Sequence, residues 1–199
     1  MKKLGFPLLL AALVGLFAFT EVLPIGASMP KAELKMTDIS GKQVSLKDAV
    51  GTNGLLVMFS CNTCPFVVKY QERTIESSNY ALGKKIGVIV VNSNEAQRGA
   101  DDSFDAMKEY AKTQGYKWNY VVDKNSELAD AFGANRTPEC FLFDKSGKLV
   151  YHGAIDDNAN DAAAATRKHL KEAMDELTSG KEVSVKETRS VGCTIKRVK

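Results

Sequence analysis

The stretch "FSCNTCPFVVKY", Phe59–Tyr70, places two cysteines two residues apart between an apolar run and a proline. The run before it, "GLLVMFS" (Gly54–Ser60), is short, continuous and apolar, the pattern of a strand buried on both faces. Pro65 is tolerated in the first turn of a helix, where its missing N–H costs nothing. A helix is therefore expected from Pro65 to about Tyr80. Cys61 and Cys64 then lie on a strand-to-helix turn, and the rest of the chain can be read outward from it.

Further strands and helices alternate on both sides. "AELKMTDISGKQVSL" gives two short alternating runs around Ser40-Gly41, a β-hairpin. "KIGVIVVNS" and "WNYVVD" read as strands, and "ADDSFDAMKEYAKTQG" as a helix with acids at its start and Lys and Gly at its end. "SELADAFG" is a short helix with Ser126 as its cap and Gly133 beyond its end. "RTPECFLFDKSGKLVYHG" is a second hairpin around Ser146-Gly147, and "DAAAATRKHLKEAMDELTSG" reads as the clearest helix in the chain. This order predicts an α/β fold: a central mixed sheet covered by helices on both faces, with an N-terminal β-hairpin.

The chain has 199 residues and a net charge of +3, enough for one domain with a sizeable core. Its basic residues are dispersed in a nearly equal acidic background, so no nucleic-acid partner is expected. The start reads as a signal peptide over 1–27: "MKK", then the apolar "LGFPLLLAALVGLFAF", Leu4–Phe19. That run is short for a membrane span; an uncleaved anchor is the alternative. Cleavage is placed after Ala27 or after Ala18. The domain is then 28–199, with a basic tail at 181–199, and is expected outside the inner membrane, in the periplasm or cell envelope, where disulfides persist.

Two cysteines at the start of a helix face unpaired N–H groups and the positive end of its dipole, which lowers a thiol pKa. On this reading Cys61, the more exposed, attacks a partner disulfide, and Cys64 resolves the mixed disulfide. Partners are protein or small-molecule thiols and disulfides with an upstream electron donor or acceptor, and no cofactor is needed. Zinc would need two more soft ligands, and only Cys140, Cys193, His152 and His169 remain. A copper(I) carrier, with His152 as third ligand, is a rival.

With "RTPECFLFD", "LVYHGAIDDN" and "GCTIK" following "CNTCPFV" in order, the chain resembles the thioredoxin superfamily, in its peroxiredoxin-like AhpC/TSA or redoxin branch. The resemblance implies a thioredoxin-like fold and a thiol–disulfide oxidoreductase, exported if the start of the chain is a signal peptide, with a thiol peroxidase of antioxidant function as the alternative. It implies a cis peptide at Thr137–Pro138 facing the cysteines, beside a groove where substrate backbone pairs. Peroxidatic sites of the family carry Pro-x-x-x-Thr-x-x-Cys. Here the matching positions are Val57 and Cys61 for Cys64, or Gly54 and Met58 for Cys61, so both registers lack the Pro and the Thr. The buried acid that thioredoxins carry in the preceding strand is replaced by about Leu55, and Glu139 is the candidate substitute for moving protons.

Cys140 reads as a buried strand thiol. Cys193 reads as a structural residue of a folded-back tail or as a third redox thiol. Asp156, Asp157 and Asn158 read as caps at a strand–helix junction, with Asp161 competing for that role.

Overall fold

Strand β3 (Leu55–Ser60) forms where the apolar run predicts it, with every residue buried. A computed structural model describes residues 21–198; the predicted signal segment up to residue 20 lies outside the described residues. Strand β3 runs parallel to β4 (Gly87–Asn92) and antiparallel to β7 (Glu139–Phe143). Beyond β4 lie β5 (Asn119–Val122), β1 (Met36–Asp38) and β2 (Gln43–Val44); beyond β7 lies β8 (Leu149–Gly153). The seven-stranded order β2-β1-β5-β4-β3-β7-β8 is mixed, and both expected hairpins are present.

Alternation along β3 sends its side chains to two different cores. Leu56 and Met58 pack with Tyr70 and Ala81 of α2 (Pro65–Gly83), Met107 of α3 (Phe104–Gln114) and Leu170 and Met174 of α5 (His169–Thr178). Leu55, Val57 and Phe59 pack with Leu46 of α1 (Leu46–Ala49) and Leu128 and Phe132 of α4 (Glu127–Phe132). Helix α2 starts at Pro65 as predicted and buries Val67, Tyr70, Thr74, Ser78 and Ala81, a stripe at helical spacing. Helix α3 has Ser103 as its N-cap and ends on Gly115 in the left-handed conformation.

Two expectations change, and the segment before Ser28 adds a packing contact. First, Ser126 does not cap α4: it sits at φ 55°, and its hydroxyl donates to the Ser93 carbonyl. The buried Asp123 carboxylate caps the helix instead, accepting from the N–H groups of Leu128 and Ala129. Second, the alanine-rich run is not helical; α5 begins only at His169. Asn158 accepts from the N–H groups of Asn160 and Asp161, Asp161 from Ala163, and Asp157 from Thr166. These local turns take up the backbone donors a helix would need, and the exposed alanines bury nothing to oppose them. The described residues before Ser28 are also packed. Val22, Leu23 and Ile25 lie against the α4-side core, and Leu23 N–H donates to the Phe132 carbonyl.

The tail is part of the domain. Residues 186–188 follow β8, with His152 N–H donating to the Lys186 carbonyl and Thr188 N–H to the His152 carbonyl. Gly153, at φ 148°, admits this contact, since a Cβ there would lie 2.1 Å from Thr188 Oγ1. The chain then crosses to pair β9 (Cys193–Thr194) antiparallel with β6 (Arg136–Thr137), the segment before Pro138.

Helix α2 is tied to the segment after β8 by Asp156, whose carboxylate accepts from Arg73 Nη1 at 2.7 and 2.9 Å and from the Tyr70 hydroxyl at 3.1 Å. Both members of the ion pair are buried. Removing one partner leaves the other charge without compensation. Arg73→Met is predicted to lower stability by about 3 kcal/mol in urea unfolding, and a loss below about 0.5 kcal/mol would contradict this assignment.

Candidate active site

The end of β3 delivers Cys61, and the start of α2 delivers Cys64. Cys64 is the N-cap of α2, with Pro65 as first helical residue. Negative charge on the Cys64 sulfur is therefore favoured by the unpaired N–H groups of the first turn. Cys61 lies outside that turn. It is 1% exposed against 5% for Cys64, so the expected greater exposure of Cys61 does not hold. Nor is its pKa lowered. Burial pushes the Cys61 thiol up, aided by the Asp102 charge and opposed by the Thr137 hydroxyl and the N–H groups of Cys64 and Thr63.

The loop opposite belongs to Thr137 and Pro138, and the peptide between them is cis. One residue touches both sulfurs: Thr137 Oγ1 lies 3.5 Å from Cys61 Sγ, and the Thr137 carbonyl oxygen 3.3 Å from Cys64 Sγ. The same residue faces Cys193 in the β6–β9 register. Cys64 and Cys193 form a disulfide across a sequence separation of 129, with Cα atoms 6.1 Å apart, and Cys61 is a free thiol. Cys193 therefore lies beside the CxxC cysteines, in a tail that folds back onto β6. Cys140 is fully buried in β7, with its thiol pushed up by burial, as alternation along that strand predicts.

Glu139, the candidate substitute for the acid missing at Leu55, is buried, as is Leu55. Its Oε2 accepts from the N–H groups of Asn135 and Arg136, and its Oε1 lies 2.8 Å from His152 Nε2. It therefore holds the β6 segment in place from behind. The same contact engages His152, the imagined copper ligand. Among the described residues no three His, Cys, Asp or Glu side chains cluster as metal ligands.

Asp102, from the acidic pair ahead of α3, reaches the CxxC turn. It is completely buried and accepts from Asn62 N–H at 2.9 Å, Asn92 Nδ2 at 2.7 Å and Asn94 Nδ2 at 2.9 Å. Asn62 in turn donates to the Asp101 carbonyl and accepts from the Tyr120 hydroxyl. This network fixes the dipeptide between the cysteines. The two adjacent acids in "ADDSF" were visible, but not the fold of the loop that turns the second one inward.

The arrangement is that of a thiol–disulfide exchange centre: a strand–CxxC–helix turn opposite a cis-proline loop. Similar proteins agree with it. The chain is 29% identical over 138 residues to the thiol-disulfide oxidoreductase ResA of Bacillus thuringiensis, covering 68% of this chain and 73% of that one. A protein of Geobacillus kaustophilus of known structure superposes with a TM-score of 0.82 at 33% identity, covering 88% of this chain and 93% of that one. The thioredoxin domain of a thiol-disulfide oxidoreductase from Bacteroides vulgatus shares the fold, with a TM-score of 0.54 at 22% identity over 65% of this chain and 88% of that one. The fold is thioredoxin-like, and the protein is a thiol–disulfide oxidoreductase. Its sequence matches the Redoxin family over residues 24–169, and the chain belongs to that family.

Proposed function

We propose that Cys61 is the attacking thiol and Cys64 the resolving thiol of an exported oxidoreductase that exchanges disulfides with extended segments of other proteins. The observation that carries this reading is Thr137, whose hydroxyl and carbonyl oxygen each touch one of the two sulfurs. In the exchange, a Cys61 thiolate attacks a partner disulfide and expels one partner thiolate. Cys64 then attacks Cys61 Sγ and releases the second. When Cys64 is reduced, its S–H donates a hydrogen bond to the Thr137 carbonyl oxygen, so the resolving thiol is held facing its target. Asp102 keeps the intervening dipeptide rigid through the Asn62 N–H, acting as a positioning residue.

Export rests on the positive and apolar start of the chain. Because Val22–Ile25 pack against the core, cleavage after Ala18 leaves the domain intact, whereas cleavage after Ala27 removes part of it. N-terminal sequencing of protein recovered from the cell envelope is expected to begin ahead of Val22; a start at Ser28 refutes this placement.

Cys61→Ser is expected to abolish reduction of insulin disulfides, and Cys64→Ser to accumulate mixed disulfides visible on non-reducing gels. Wild-type behaviour in both variants would falsify the assignment. The raised Cys61 pKa fixes a pH dependence. Below it the thiol stays protonated, so iodoacetamide labelling of Cys61 in the oxidised protein should still be climbing above pH 9. A plateau reached by pH 8 contradicts the burial effect.

A further inference from the structure

We propose that Cys193 is a third catalytic thiol, carried on a strap in the strand-pairing groove beside Thr137–Pro138, which draws the disulfide off Cys61–Cys64 onto Cys64–Cys193. The proposal rests on the exchange assigned above to Cys61 and Cys64 and adds a step to it.

Three observations carry it. First, the groove is occupied. The β6 backbone is paired with β9, Arg136 opposite Thr194 and Thr137 opposite Cys193. An extended substrate segment would need the same backbone groups, so the strap sits where a substrate strand would lie, with its cysteine at the sulfurs. Second, the strap is seated by sterics. A Cβ at Gly192 would lie 2.3 Å from the Thr137 carbonyl oxygen and 3.2 Å from Pro138 N, so only glycine lets the chain lie this close. Third, the strap is anchored on both sides of Cys193. Upstream, Thr188 is held at Gly153 and Tyr151. Downstream, Ile195 is buried and donates its N–H to the Asn135 carbonyl, and Arg197 binds Asp130 and the Ala134 carbonyl. A thiol tethered on both sides stays near its target when reduced, which makes its attack effectively intramolecular.

The cycle balances with a donor dithiol as reductant. With the strap displaced, Cys61 reduces a substrate disulfide, and Cys64 resolves it to leave a Cys61–Cys64 disulfide and two substrate thiols. The Cys193 thiolate then attacks Cys64 Sγ. A Cys64–Cys193 bond forms, the Cys61–Cys64 bond breaks, and Cys61 leaves as thiolate and takes up a proton. Burial under the strap keeps it a thiol. The donor attacks Cys193, which is less buried than Cys64. Cys64 is then the leaving group, at the helix N-terminus where its negative charge is favoured. The donor's second thiol frees Cys193, and the covalent tie on the strap is gone. Reduction thus removes the covalent tie across the groove and lets a substrate strand compete for β6, while the anchors on both sides keep Cys193 close; oxidation restores the tie.

The test is a disulfide map through time. Fully reduced protein is mixed with limiting oxidised glutathione, quenched in acid, alkylated and digested for mass spectrometry. The expected record is a transient Cys61–Cys64 link giving way to Cys64–Cys193 with alkylated Cys61. Gly192→Val should shift the final ratio at least tenfold towards Cys61–Cys64. If that variant does not fold, Cys193→Ser should stop at Cys61–Cys64. A wild-type end state of Cys61–Cys64 with Cys193 alkylated overturns the relay while leaving the two-cysteine exchange intact. A Cys64–Cys193 bridge that persists unbroken through turnover makes it a structural staple and equally overturns the relay. Loss of the Cys61→Ser defect in insulin reduction would instead remove the exchange reading itself.

Discussion

The site depends on where the antiparallel register of β3 and β7 sets Thr137. Phe59 pairs with Glu139, so the loop just before β7 must pass the cysteines just beyond β3. Thr137 then meets Cys61 through its hydroxyl, Cys64 through its carbonyl oxygen and Cys193 through strand pairing. A slip of one residue would turn Glu139 out of the pocket where it binds the N–H groups of Asn135 and Arg136, and would move Thr137 off both sulfurs. The apolar cores on the two sheet faces hold that register, because every residue of β3 and β7 is buried.

The site's polar groups are arranged around immobility. Asp102 collects three N–H donors on its carboxylate, which makes no salt bridge among the described residues, and one of these donors belongs to the dipeptide between the cysteines. Glu139 collects two backbone donors and a histidine on the other side of the groove. Such buried carboxylates persist only because each is hydrogen-bonded. Together they fix the two walls between which sulfur–sulfur exchange takes place. The strap crosses between them on one short strand pair and one disulfide, and is anchored beyond the groove by Thr188 on one side and by Ile195 and Arg197 on the other.

Much of this was legible in the sequence. The strand before Cys61, the helix after Cys64, both hairpins and the facing Thr137–Pro138 loop follow from local pattern and from the family resemblance. What was not legible depends on contacts distant in sequence. Cys64 and Cys193 are 129 residues apart, and no local rule pairs them. Asp102 and Glu139 look like surface acids until the fold turns them inward. The Ala-rich run misled for a different reason: intrinsic helix propensity lost to Asx turns on a surface with no core to bury. The dipole argument took both cysteines together, but only Cys64 caps the helix that starts at Pro65, while Cys61 lies three residues earlier and is buried.

The most direct measurement is a redox titration in glutathione or dithiothreitol buffers, with cysteines counted by alkylation at each potential. An exchange centre predicts one reversible two-electron transition within the range of known CxxC proteins, about −270 to −120 mV. A transition found only below about −300 mV, where structural disulfides resist reduction, would contradict a catalytic role for these sulfurs.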